Sequence, residues 1–255
     1  MDLGRLRAGF YTIIGDRKSQ QDRGKIEQDT GGRLLAVVCD GMGGMEGGAM
    51  ASATGIQCIF DRFGEFPESW EAGEDWIRTS LIKADEEVAS LRNASGAPLG
   101  GGTTCVLAVA GEDGFLWGSV GDSRIYLLRA GTLHILNRMH NYNLKLDQLL
   151  QDGEIDLEER MRRGTRGEAL ISFLGIGGLP MVDVAGTVIT WEKGDVLILC
   201  SDGLYKSLST PQVQAVIEEC GGNMEICSRR LCEEAHRLST KSQDNTTVIA
   251  IGYDL

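Results

Sequence analysis

The sequence predicts an α+β fold in a single domain, and three observations predict it. Short β-branched or apolar runs recur along the chain. Longer amphipathic stretches come in pairs between those runs, and glycine or aspartate punctuates nearly every junction. Paired helices between groups of strands fit antiparallel sheets covered by helices; a βαβ alternation would put one helix after each strand.

The strand runs are 34–39, 104–110, 115–120, 125–129, 184–190, 196–199 and 246–251, each bounded by turn residues. The first helical stretch, 49–63, sets Ala53, Ile56, Ile59, Phe60 and Phe63 on one face, and 76–91 repeats the pattern. A third helix is expected to start after Thr210 as its cap, with Pro211 at its first position. A fourth follows over 224–238. Between two strand runs, 141–166 is polar and helical in pattern, which reads as a surface insert or flap. Its arginines, Arg160, Arg162, Arg163 and Arg166, form either a solvated face or an electropositive patch for a phosphorylated peptide.

Composition excludes several classes. Hydrophobic residues make up 42% and charged residues 24% of 255, which is ordinary globular composition. No apolar run is long enough to span a bilayer, and the first ten residues carry no apolar stretch of signal-peptide type, so a cytoplasmic protein without membrane attachment is expected. A net charge of −12 with no basic stripe argues against nucleic acid as partner. Seven cysteines without a CxxC pair read as reduced structural thiols.

The chemistry lies in aspartates at strand ends. LLAVVCDGMGG ends at Asp40, WGSVGDSR holds Asp122, VLILCSDGL holds Asp202, and Asp244 precedes the last strand in QDNTTVIAI. Asp22, in RKSQQD ahead of the first clear strand, is a fifth candidate. A sheet holds such a carboxylate rigidly, and a neighbouring glycine lets a ligand approach the main chain. Grouped carboxylates repel one another unless a cation neutralises them, and hard cations such as Mg²⁺ and Mn²⁺ favour oxygen donors. Any one Asp-Gly after a strand is also an ordinary turn signal. No HExxH, GxSxG, GxxxxGK or GxGxxG pattern supplies competing machinery.

The ordered set Arg17…Asp22, Asp40-Gly41-Met42-Gly43-Gly44, Gly102-Thr103-Thr104, Gly121-Asp122-Ser123-Arg124, Ser201-Asp202-Gly203 and Asp244-Asn245 resembles the metal-dependent protein Ser/Thr phosphatases of the 2C type, in their bacterial branch. The resemblance runs from about residue 15 to 251 and implies one catalytic domain over 1–255. It implies a four-layer αββα sandwich, two mostly antiparallel sheets flanked by helices, with the flap at about 141–166. It also implies a binuclear centre that activates water for hydrolysis of phosphoserine and phosphothreonine, using two to three Mg²⁺ or Mn²⁺ ions. Asp40 would bridge two metals with the Gly41 carbonyl on one of them; Asp202 and Asp244 would complete the inner ligands. Asp22 would act in the same site, Asp122 with Asp202 would hold a third ion, and Arg17 would bind the substrate phosphate. Phosphorylated proteins, an opposing Ser/Thr kinase and a monomeric state are the implied partners and assembly.

Departures from the family pattern are informative. Met42 stands where many eukaryotic members carry a histidine thought to protonate the leaving group, so good turnover of aryl phosphates is expected. Gln20 replaces asparagine, and Gln21 fills a position that is often acidic. Asn137-Arg138-Met139-His140 replaces Thr-x-Asp-His, and Gly167-Glu168 replaces Arg-Asn in the flap. Two other readings stay open: a scaffold that kept this fold without activity, and a phosphatase for small phosphorylated metabolites.

Overall fold

The computed structural model describes residues 5–255, the side chain of Met45 aside. The first four residues of the 1–255 domain, and of the leader-free N-terminus expected above, lie outside the described residues.

Strands β1 (Leu6–Ile13), β7 (Arg124–Arg129), β8 (Thr132–Ile135), β10 (Val196–Cys200) and β11 (Thr246–Tyr253) form one sheet in the order β1-β11-β10-β7-β8. The other sheet runs β2-β3-β5-β6-β9, built from β2 (Asp22–Gln28), β3 (Leu34–Met42), β5 (Cys105–Gly111), β6 (Gly114–Val120) and β9 (Asp183–Val184). A two-residue strand, β4 (Gly102–Thr103), pairs with the end of β3. Every strand pairing is antiparallel.

Helices α1 (Gly44–Asp61) and α2 (Gly73–Ser90) cover the second sheet; α6 (Thr210–Glu219) and α7 (Met224–Leu238) cover the first. The result is the four-layer sandwich. Side-chain alternation shows why its strands read as continuous apolar runs. In β11, Ile249, Ile251 and Tyr253 join the core between the sheets, while Val248 and Ala250 join the core beneath α6 and α7. Leu197 and Leu199 of β10 likewise face the first core, and Val196, Ile198 and Cys200 the second. Both faces are buried, so no polar residue interrupts the run.

One helix expectation and one strand expectation need adjusting. α6 is capped by Ser209, whose N–H donates to Gln212 Oε1 at 2.8 Å, so Thr210 is its first residue and Pro211 its second. The run 184–190 is not a strand: only Asp183–Val184 pairs with β6, and Ile189 makes an isolated bridge to Phe115. Between them Gly186 and Thr187 form a bend, which breaks the alternation.

The insert folds as α3 (Tyr142–Gln151), α4 (Leu157–Arg163) and one 3₁₀ turn at Gly164–Arg166. Its base is stitched shut, with Tyr142 N–H donating to Ala169 O at 2.8 Å and Ile171 N–H to His140 O at 2.9 Å. Asn141 caps α3 and Asp156 caps α4.

Candidate active site

The β2–β3 ladder sets Asp22 directly opposite Asp40. Asp22 therefore opens a strand instead of lying in a loop ahead of one. It is buried, its Oδ2 accepts from Ser201 Oγ at 2.7 Å, and its Oδ1 is buried with no hydrogen-bond partner. Asp40, near the end of β3, is partly exposed. Its backbone is gripped by the Gly102-Thr103-Thr104 motif. Asp40 N–H donates to Thr104 Oγ1 at 3.1 Å, while Thr104 N–H and Thr103 Oγ1 both donate to Asp40 O at 2.9 Å.

Thr104 Oγ1 also meets Ser123 Oγ at 2.7 Å, which ties Asp40 to the turn that carries Asp122. That turn is held from behind. Asn137 Oδ1 accepts from Ile125 N–H at 2.8 Å, Asn137 Nδ2 donates to Ser123 O at 2.9 Å, and Gly121 N–H donates to His140 Nδ1 at 3.3 Å. So the Asn137-to-His140 segment does positional work without the carboxylate the family pattern places at 139. Met139 Sδ instead accepts from Arg124 Nη2 at 3.4 Å.

Asp202 begins the single-turn helix α5 (Asp202–Tyr205), straight after β10, and Asp244 lies two residues before β11. Asn245 clamps the opposite wall: its Oδ1 accepts from Gln21 N–H at 2.8 Å, and its Nδ2 donates to Ile14 O at 2.8 Å and Ser19 O at 3.1 Å. The loop so fixed carries Arg17, whose Nη2 donates to Asp244 Oδ2 at 2.5 Å.

Together Arg17, Lys18, Gln21, Asp40, Gly41, Met42, Asp202 and Asp244 line a cleft of about 580 Å³. Asp22 and Asp122 are not on its wall; they lie buried behind Asp40 and Asp202. Size does not single this cleft out, since a hollow of about 710 Å³ lies at the other end of β3, beside Arg33 and Trp70. Chemistry does. Burial, then Asp22, Asp202, Asp122 and Asp244 in turn, drive the Asp40 carboxyl well above its usual range. Burial above all, with Asp202 and Asp244 adding to it against hydrogen bonds from Ser201 and Thr247, pushes Asp22 up to about 7. Burial and then Asp202 raise Asp122 to about 6. Five carboxylates this close destabilise their own charged forms and favour any cation that enters.

Among the described residues no three of these side chains already form a closed coordination cluster, because Asp202 turns to Lys206 Nζ and Asp244 to Arg17. The donor set nonetheless fits a hard divalent ion. It is all oxygen, and the unpartnered Asp22 Oδ1 is a buried acceptor without a donor. Lys206, paired with Asp202, is a neighbour of the cluster that the sequence did not single out; its signal there is the i,i+4 spacing after Asp202.

The glycines around Asp40 allow backbone to meet backbone. A Cβ on Gly41 would lie 2.1 Å from Gly48 O, and one on Gly101 would lie 2.4 Å from Gly47 O, so β3, α1 and the 100–102 loop interlock. The family model for protein phosphatase 2C matches residues 12–233, which takes in the Arg17 loop, Asp40, Asp122 and Asp202.

The chain belongs to the protein phosphatase 2C family. Among curated relatives, the serine/threonine phosphatase Stp of Listeria monocytogenes is 29% identical, over 98% of this chain and 97% of its own. Among solved structures, the S. agalactiae serine/threonine phosphatase superposes with a TM-score of 0.81 at 25% identity, covering 96% of this chain and 98% of that one. The Ser-Thr phosphatase MsPP from Mycobacterium smegmatis, in complex with cacodylate, gives 0.74 at 28% identity, covering 96% and 97%.

Within this 2C-type phosphatase the flap departures have structural reasons. A Cβ on Gly167 would lie 2.1 Å from Asn143 Oδ1, and Asn143 Nδ2 donates to Glu168 Oε1 at 3.2 Å. Arg160 pairs with Asp147 at 2.7 Å, and Arg163 and Arg162 pair with Glu159 at 2.6 and 3.4 Å. Three of the four flap arginines are thus matched by acids of the flap itself, which favours the solvated-face reading. No flap residue lines the cleft among the described residues, and no described helix is long and apolar enough to cross a membrane.

Proposed function

We propose that this phosphatase hydrolyses phosphoserine and phosphothreonine in proteins at the Asp40 cleft, with Asp40, the Gly41 carbonyl, Asp202 and Asp244 as metal ligands and Asp22 supporting them. The observation that carries the reading is that Asp40, Asp202 and Asp244, from both sheets, line one cleft whose rim holds an arginine, with Asp22 and Asp122 buried behind them. Mg²⁺ or Mn²⁺ ions bound there would supply Lewis acidity toward phosphoryl oxygens and an acidified water.

The protein's own groups do the rest. Arg17 is exposed at the rim, and its guanidinium can grip two phosphate oxygens while Asn245 keeps its loop in place. Lys18 beside it adds positive charge toward an incoming dianion. Thr103 and Thr104 hold the Asp40 backbone, so the central carboxylate need not reorganise as charge moves in the cleft. Met42 lines the cleft and offers no proton, so the leaving oxygen departs without a side-chain acid from that position.

A panel of phosphopeptides, sugar phosphates and nucleotides assayed with Mn²⁺ and then with chelator tests the proposal. Metal-dependent turnover of the peptides, well above that of the small phosphates, is expected. Preference for a small phosphate would move the substrate class to metabolites, and silence on all substrates would favour the scaffold reading.

A further inference from the structure

The outer carboxylates already have a cation of the protein's own. Lys206 follows the end of α5, and its Nζ donates to Asp202 Oδ2. Its ammonium is also in electrostatic reach of Asp122 and Asp40. Of the charges around Asp122, Asp202 raises its carboxyl most and Lys206 lowers it most.

The lysine is placed by a backbone that cannot drift. Lys206 N–H donates to Asp202 O at 3.0 Å, closing the turn. Leu204 is buried, and a Cβ on Gly203 would lie 2.2 Å from Asn245 O, so α5 is pressed against the start of β11. Tyr205 is pinned beneath the Arg124 guanidinium, 3.9 Å from its ring centroid. The Lys206 side chain is 48% exposed while the Asp202 side chain is 14% exposed, so the ammonium enters from solvent over its aliphatic stem.

We infer that Lys206 is a built-in cation for the Asp122–Asp202 pair, holding the place that an outer divalent ion would otherwise take. This rests on the metal-site reading of the carboxylate cluster proposed above. A tethered monovalent ammonium offsets the repulsion of the two acids without acidifying a water, and it can swing out when a divalent ion competes for it. The chain should therefore fill its inner site at low metal and its outer pair only at high metal.

Titration calorimetry with Mn²⁺ alone on wild type, Lys206→Gln and Lys206→Arg tests this. Expected is an additional ion bound by Lys206→Gln, about tenfold tighter than any outer ion in wild type, with Lys206→Arg resembling wild type. Thermal unfolding gives a second readout. In chelator Lys206→Gln should melt below wild type, because Asp122 and Asp202 then repel unopposed, and saturating Mn²⁺ should close that gap. Mn²⁺ isotherms that match between wild type and Lys206→Gln, with an unchanged melting gap, would overturn the inference while leaving the inner site intact. Wild type that binds no Mn²⁺ would instead overturn the metal-site reading itself.

Discussion

Asp22 and Asp40 face each other across the β2–β3 ladder, one buried beneath the cleft and the other on its wall. The pairing places two like charges on adjacent strands, which costs stability unless something neutralises them. From this follows a prediction of opposite signs. Asp40→Asn should lower phosphatase activity by about a hundredfold or more, as loss of the proposed metal ligand implies, yet raise the melting temperature in chelator. Activity assays paired with thermal unfolding check both halves.

Thr104 links the two halves of the carboxylate cluster through Asp40 N–H and Ser123 Oγ. Thr104→Val keeps the shape but leaves a buried donor without its acceptor, costing about 1–3 kcal/mol of stability. Metal affinity should weaken by about 10–100-fold. Denaturant melts and Mn²⁺ titration measure the two effects.

Asn245 sets the Arg17 loop and touches no acid of the site through its side chain. Asn245→Ala is expected to raise KM for a phosphopeptide more than it lowers kcat, and Arg17→Ala to do the same more strongly. Steady-state kinetics separate the terms. A kcat loss without a KM change would place the loop's role elsewhere.

Asp183 gives the pH dependence. Burial pushes its carboxyl up, but the His140 imidazole, with Nε2 3.5 Å from Oδ1, and hydrogen bonds from the Arg138 side chain and N–H outweigh burial and hold it well below the usual carboxylate range. Arg138 Nη2 lies 2.5 Å from Asp183 Oδ1 and Arg138 N–H donates to Asp183 Oδ2 at 3.0 Å. A depressed carboxylate stabilises the fold above its unfolded value of about 3.9 and loses that contribution as pH falls toward the folded value. The melting-temperature advantage of wild type over Asp183→Asn should be full near about pH 6 and shrink below about pH 4.

With methionine at 42, the rate should depend steeply on the leaving group. Aryl phosphates should turn over much faster than alkyl phosphates of similar size, and a series of substituted phenyl phosphates measures the slope. A flat dependence would mean that another group donates the proton.

The legible parts of the fold were those buried on both sides. Runs such as 34–39 and 196–199 stand out because each lies between two packed layers. The helix expected over 224–238 forms over those residues, its buried side marked by Cys227, Leu231 and Ala235. β1 and β2 were not legible, since edge strands with solvated residues such as Arg7, Tyr11, Lys25 and Glu27 carry no apolar run. That omission hid the placement of Asp22, because only the β2–β3 register brings it to Asp40. Asp40, Asp202 and Asp244 could be named from strand-end motifs. Lys206 could not, because a lysine four residues after an aspartate on a helix is ordinary surface chemistry until the cluster around it is seen.

Metal-dependent catalysis at the Asp40 cleft is tested most directly by hydrolysis of a phosphothreonine peptide against Mn²⁺ concentration, for wild type and Asp202→Ala. The rate should rise with Mn²⁺, vanish with chelator, and fall by about a hundredfold or more in the variant. Activity that survives chelation, or that persists in Asp202→Ala, would contradict it.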